Sequence, residues 1–269
     1  MRAIAVAVFA TLATVQTSPA SAQWLNYPTP GVPRLLDGRP NLAAPAPRTA
    51  QGTPDLSGLW EPDPSGGNPS SFSAVITIPA EFTNVAARLK GDLPYRPWAL
   101  DLRKARQADD GRDNPDGLCL PLSILQLHSH PFPRRIMQLP GILAILYEKD
   151  VDYRQIFTDG RPLPVDPQPS WFGYSSGKWE GDTLVVRTSG FREGLWADGA
   201  GNPLTEAATV TERFRRPNFG TLEIEVTVDD AKAYTAPWTI KLSQRIKLDT
   251  ELLEYVCLEN EKARSFLRR

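Results

Sequence analysis

Residues 209–228 read TVTERFRRPNFGTLEIEVTV, two alternating runs on either side of a Pro-Asn-Phe-Gly turn. Successive side chains of a strand point to opposite faces. Leu222, Ile224, Val226 and Val228 therefore share one face of the second run, and Val210 and Phe214 share one face of the first. Two such runs across a short turn predict an antiparallel hairpin with one apolar face. The same grammar spreads in both directions. SWFGYSSGKW meets TLVVRTSGF across Glu180-Gly181-Asp182, RRIMQLPG leads into ILAILYEKD and then YRQIF, and WTIKLSQRIKL meets LLEYVCLEN across Asp249-Thr250-Glu251. About eight strands joined by short turns, with no helix-length segment between them, predict antiparallel neighbours in up-and-down order. Closure removes exposed edges, so the expected fold is all-β: an antiparallel up-and-down β-barrel, with a sandwich as the alternative.

Polar residues on the apolar faces are the first candidates for a site. Glu212 shares its face with Val210 and Phe214, and Gln244 shares its face with Ile240, Leu242, Ile246 and Leu248. Burying such groups costs free energy unless they find partners. Either they line a cavity, or Glu212 makes a structural bond with an arginine such as Arg187. The inward register of residues 142–158 stays open, because both faces of Ile142–Tyr147 are apolar.

The chain has two histidines, His128 and His130, both in the stretch LQLHSHPFPRR. Pro131 and Pro133 argue for a loop or strand end there, poised over the barrel mouth. One histidine suffices for acid–base chemistry. Tyr147, Arg154 and Tyr174 on neighbouring strands would steady developing charge, and Glu212 would position them. Glu148, Trp171 and Gln244 are the candidate ligand contacts, since a tryptophan near the mouth favours a flat apolar or aromatic guest. A zinc site needs three or four ligands, which two histidines do not provide without Glu212 or Glu148. The expectation is therefore a reaction without metal or other cofactor. The alternative is that both histidines are solvent-facing loop residues. No Gly-x-Ser-x-Gly elbow, phosphate loop or dinucleotide fingerprint occurs.

The opening MRAIAVAVFATLATVQTSPASAQW has a basic residue, a short apolar run and an Ala-Ser-Ala site, which predict a secretory signal over residues 1–22. Its apolar run is too short for a membrane span of ~20 residues. The protein is expected to be periplasmic or secreted. In an oxidising compartment Cys119 and Cys257 most simply form one disulfide. Residues 23–54, rich in proline and alanine, read as an extended arm, and residues 55–269 as the barrel domain. Helices are expected within PAEFTNVAARLKGD and RPWALDLRKARQADDG, residues 79–92 and 96–111. With 30 basic and 31 acidic residues and no basic tract, nothing favours nucleic acid or an anionic membrane.

PDLSGLW at the start of the barrel resembles the Gly-x-Trp opening of lipocalin-like proteins, here Gly58 and Trp60. TDGRPLPVDPQPSWFGYSSGKWEGDTLVV, ERFRR, AYTAPWT and DTELLEYVCLEN together resemble a large family of secreted soil-bacterial proteins, mostly of unknown function. That resemblance spans about residues 54–260 and implies the barrel and export. Its members usually carry histidines where this chain has Tyr174, the Pro203-Leu204-Thr205 stretch and a position near Thr209, so His128 and His130 would represent a lost or rebuilt site. The expected partner is a small, largely apolar molecule such as a terpenoid, polyketide or plant aromatic. The expected activity is cofactor-independent acid–base catalysis by an isomerase, cyclase or lyase, or else a periplasmic carrier with the same cavity.

Overall fold

The computed structural model describes residues 27–63, 68–69 and 77–260; the expected signal segment, residues 1–22, lies outside them. Nine strands form a closed barrel: β1 (Gly58–Pro62), β2 (Arg134–Leu139), β3 (Ile142–Tyr147), β4 (Tyr153–Phe157), β5 (Tyr174–Glu180), β6 (Thr183–Ser189), β7 (Thr209–Asn218), β8 (Thr221–Asp229) and β9 (Trp238–Ile246). Each strand pairs with the next, and β1 closes the ring. Trp60 lies opposite Arg134 of β2 on one side and opposite Ile246 of β9 on the other.

An odd ring cannot alternate direction all the way round, so at least one junction must be parallel. It falls between β4 and β5, where Ile156 faces Ser175 and Phe157 faces Ser176. This corrects the expectation of about eight wholly antiparallel strands. Parallel neighbours need a crossover. Residues 158–173, with prolines at 162, 164, 167 and 169, carry the chain back along the wall. Gly173 ends this crossover at φ +63°, where a Cβ would come within 2.7 Å of the Ser189 carbonyl oxygen. Only glycine fits that entry into β5.

The alternation places the apolar faces inward as read. Glu212 sits opposite Val226, and Phe214 opposite Ile224, with all four buried. The register left open in β3 resolves with Leu143, Ile145 and Tyr147 inward and Ile142, Ala144 and Leu146 half-buried outside.

Two local expectations are overturned and a third is met only in part. The stretch ahead of β2 is a helix, α3 (Ile124–Ser129), and all six of its residues are buried. The Ser123 hydroxyl accepts the Gln126 N–H at 3.3 Å and caps it, and His130 ends it by turning extended before Pro131. Ile124, Leu125 and Leu127 join the barrel core, so α3 is a plug and not a mouth loop. Second, LLEYVCLEN makes no strand, because β1 already occupies the free edge of β9. It runs as an irregular segment with a lone bridge from Tyr255 to Lys149 and ends in a one-turn helix, α4 (Cys257–Asn260). Third, PAEFTNVAARLKGD gives only a single turn, α1 (Ala80–Thr83), broken by extended Asn84. The other expected helix forms fully as α2 (Pro97–Ala108), with proline at its start.

Residues 27–54 lie on the barrel. The β7–β8 turn donates from Phe219 and Gly220 to the carbonyls of Ala44 and Leu42, each at 2.8 Å, and Arg48 pairs with Asp182. At the other extreme of the chain, Cys119 and Cys257 form a disulfide across a separation of 138 residues, with Cα atoms 5.5 Å apart. It clamps the approach to α3 against the C-terminal segment. A Cys119→Ser/Cys257→Ser variant is expected to lose roughly 2–5 kcal/mol of stability while keeping its strand content. Urea melts followed by circular dichroism measure this, and a midpoint unchanged from the oxidised protein would show that the clamp constrains nothing.

Candidate active site

Four consecutive strands contribute polar side chains to one inward cluster: Arg154 from β4, Ser175 from β5, Thr188 from β6 and Glu212 from β7. Arg154 grips Glu212 with both ends of its guanidinium fork; Nη1 donates to Oε1 at 2.8 Å and Nη2 donates to Oε2. Nη2 also reaches Ser175 Oγ at 3.0 Å and Thr188 Oγ1 at 2.9 Å. Both members of the pair are buried, Arg154 at 2 % exposure and Glu212 at 0 %. The expected structural partner Arg187 is not involved. It lies on the exposed face of β6, opposite Thr211, and the arginine that the carboxylate takes is Arg154.

His128, near the end of α3, brings its Nε2 within 2.6 Å of the Glu212 Oε1. Burial alone would raise the Glu212 carboxyl, but Arg154 and His128 outweigh it and hold it at about 2. An ionised carboxylate only accepts hydrogen bonds. His128 Nε2 therefore carries the proton, and Nδ1 carries the lone pair. Burial, against the opposing pull of Glu212, lowers the pKa of His128 and keeps the ring neutral around pH 7. Nδ1 is buried and has no hydrogen-bond partner among the described residues.

The facing wall is polar as well. Arg134 of β2 donates from Nη1 to the His128 carbonyl at 2.8 Å and from Nη2 to the His130 carbonyl at 3.3 Å. Gln244 of β9 donates to the same His128 carbonyl at 2.9 Å. Tyr147, directly opposite Arg134 on β3, is buried; the Arg154 guanidinium lies beside its oxygen, its O–H finds no acceptor, and burial raises its pKa so that it keeps its proton. The Gln126 side chain of α3 is also buried and unpaired at both ends.

Four of the residues singled out by sequence lie outside this cluster, and two within it are committed to other protein groups. His130 turns away from Glu212 and packs edge-on between Phe82 and Phe132, and its Nδ1 accepts the Phe132 N–H at 3.2 Å. Tyr174 lies on the outer face, donating to the Gln168 carbonyl at 3.0 Å. This separates it from the interior, because Ser175 is the neighbour that points inward. Glu148 receives the Leu253 N–H at 3.1 Å and anchors the C-terminal segment. Trp171 lies in the crossover with Arg192 stacked 4.2 Å over its ring. Gln244 serves α3 through the main chain, and Arg154 is committed to Glu212. The two histidine rings share no ligand direction, and among the described residues no three His, Cys, Asp or Glu side chains gather as a metal site. Four residues were missed: Arg134, Ser175, Thr188 and Gln126. Alternation with Ile136 marks Arg134, alternation with Leu184 and Val186 marks Thr188, and Ser123-x-x-Gln126 is a helix-start pattern.

Two clefts approach this interior. One, of about 590 Å³, is bordered by His128, Ser129 and Gln244 and by charged outer residues such as Arg213 and Glu225. The other, of about 770 Å³, opens beside the parallel junction under the crossover. Phe157, Leu163, Val165, Trp171 and Tyr174 line it, with buried Arg154 and Ser175 among its walls. No protein-family model matches this chain, and no curated protein matches it.

Replacing Glu212 by glutamine leaves the Arg154 guanidinium buried without its counter-charge, so a loss of about 3–5 kcal/mol in urea denaturation is expected. The apolar double variant Arg154→Met/Glu212→Leu should recover much of it; a loss below about 1 kcal/mol for Glu212→Gln would show that the pair bears little of the fold. His130 gives a separate pH signature. Burial, then the positive charges of Lys149 and Arg134, hold it well below the usual histidine range. The unfolded chain thus binds the proton more readily, and stability that is complete above about pH 6.5 falls as the pH drops, by up to ~1.4 kcal/mol per unit. His130→Asn keeps an acceptor for Phe132 but cannot titrate, so its urea midpoint should fall less steeply between about pH 6.5 and 5. Parallel curves for the two proteins would show that His130 titrates normally.

Proposed function

We propose that this chain is an exported, cofactor-independent acid–base enzyme, an isomerase, cyclase or lyase, acting on a small apolar or aromatic molecule. The observation that carries the reading is the lone pair on His128 Nδ1, buried, unpaired and held in one tautomer by an ionised carboxylate. A histidine oriented by a carboxylate on one nitrogen, with the other nitrogen free, is the arrangement of a general base. Nδ1 would take a proton from a substrate carbon activated by a carbonyl, and the C–H electron pair would move onto the carbonyl oxygen. The Tyr147 O–H would stabilise that oxyanion. Glu212, positioned by Arg154, would stabilise the imidazolium. Returning the proton to another carbon completes an isomerisation, and expelling a leaving group completes an elimination. Access is supported by the cleft bordered by His128 and Gln244. Export is supported by the signal-like opening and by the disulfide, which persists in oxidising compartments. Kinship with the secreted soil-bacterial family, carried by its tryptophan and glycine motifs, belongs to the same proposal.

A second reading, a carrier without chemistry, is favoured by the aromatic cleft beside the parallel junction. One experiment separates the two. The protein is purified from its secretory compartment, its co-purifying organic molecule is identified by native mass spectrometry, and that molecule is incubated with fresh protein in D2O. The enzyme reading expects deuterium incorporation or conversion, slowed about 10²–10⁴-fold by His128→Ala and reduced by Tyr147→Phe. A molecule that stays unlabelled, and whose binding is weakened by Trp171→Ala but not by His128→Ala, would replace the enzyme with the carrier.

A further inference from the structure

The buried charges of the barrel interior do not balance. Arg154 is neutralised by Glu212, and both histidine rings are held neutral by burial. Arg134 is 1 % exposed, and no carboxylate pairs with it among the described residues. The carbonyls of His128 and His130 satisfy its two terminal nitrogens, but Nε is left buried and unpaired. Those carbonyls lie at the C-terminal end of α3, a favourable place for a cation. A helix of six residues offers a fraction of a charge at most, so it satisfies geometry without cancelling the net positive charge. The Tyr147 hydroxyl, also buried and with no acceptor for its O–H, belongs to the residue directly opposite Arg134. Two unpaired donors thus sit on directly paired residues of adjacent strands, one of them part of an uncompensated guanidinium, in the same interior as the His128 Nδ1.

We infer that Arg134 Nε and the Tyr147 hydroxyl form an anion-binding subsite, and that the molecule this barrel takes carries a carboxylate. This deepens the acid–base reading and rests on it for the identity of the site. A carboxylate there would supply the missing negative charge and accept from both donors. The carboxylate would then be the group that activates the carbon, its oxygen the one that Tyr147 steadies as the C–H electron pair moves onto it, with that carbon toward His128. Charge-assisted bonds of this kind separate a carboxylate from its neutral amide, which matches it in shape.

The test is isothermal titration calorimetry of the intact, oxidised protein at constant ionic strength. Two matched pairs serve as probes, sodium formate against formamide and sodium benzoate against benzamide, with sodium chloride as the inorganic control. At least one carboxylate is expected to bind about 10-fold or more tightly than its amide, with chloride weaker than both carboxylates. Tyr147→Phe, which removes a single oxygen, should weaken the carboxylate by about 10-fold or more and weaken the amide, a neutral acceptor, less. Arg134→Lys keeps the charge but loses the Nε–H, and should weaken the carboxylate likewise. Equal affinity for acid and amide, chloride binding as tightly as formate, or Tyr147→Phe binding benzoate like the parent would each overturn the subsite. Failure here is distinguishable from failure of the acid–base reading. Hydrogen exchange on a neutral molecule, dependent on His128, would keep the enzyme and remove the anion site. Carboxylate binding without any such exchange would do the reverse.

Discussion

Arg154 beside Glu212 is the contact on which the interior depends. A carboxylate buried at 0 % exposure would ordinarily take up a proton. Facing a bidentate guanidinium it stays ionised, and as an acceptor it then dictates the tautomer of His128. That hydrogen bond fixes the end of α3, whose His128 carbonyl in turn receives Arg134 and Gln244. One ion pair thus joins β4 and β7 on one wall, through α3, to β2 and β9 on the other. The same pair explains why neither Arg154 nor Glu212 is a good candidate for touching a substrate. Their hydrogen-bonding capacity is spent on each other and on Ser175 and Thr188. Atoms left with capacity include His128 Nδ1, Arg134 Nε and the Tyr147 hydroxyl.

The second constraint is topological. With nine strands, one junction must run parallel, and parallel neighbours cannot be joined by a tight turn. The chain spends residues 158–173 on the return, and only two residue pairs hold β4 to β5. A short ladder beside a proline-rich crossover leaves the wall open next to Arg154 and Ser175, and the aromatic cleft occupies that opening. The cleft is thus a consequence of strand parity as much as of side-chain choice.

Alternation made the hairpins legible. Glu212 and Gln244 stand out as polar residues on apolar faces, and both lie in the interior. The partner of Glu212 was not legible, because a partner three strands away depends on the diameter and curvature of the closed barrel. Arg187, on the adjacent strand, looks nearer in sequence logic but points outward. The plug was obscured by Pro131 and Pro133, which end α3 and do not prevent it, while Ser123 held the missed start signal. LLEYVCLEN misleads for another reason. Its hydrophobic residues suit a strand, but every edge in the ring was already filled, and Leu253 and Leu258 remain exposed.

A buried cation without a counter-ion is a rarer feature than a buried pair, and its cause lies in the chain's connectivity. Residues 130–133 pass directly from α3 into β2, so the first inward position of β2 lies against the plug's terminal carbonyls. A guanidinium suits that place better than an ammonium, because its planar fork can serve two carbonyls at once and still present a third donor. Burial lowers the Arg134 pKa to about 10, still above any physiological pH, so the charge persists. A neutral donor such as glutamine could satisfy a carbonyl there without carrying charge into the interior. The use of arginine, next to a tyrosine whose hydroxyl is also unspent, is economical if both groups have an anion to meet. Held by hydrogen bonds alone, the plug would have no need of either.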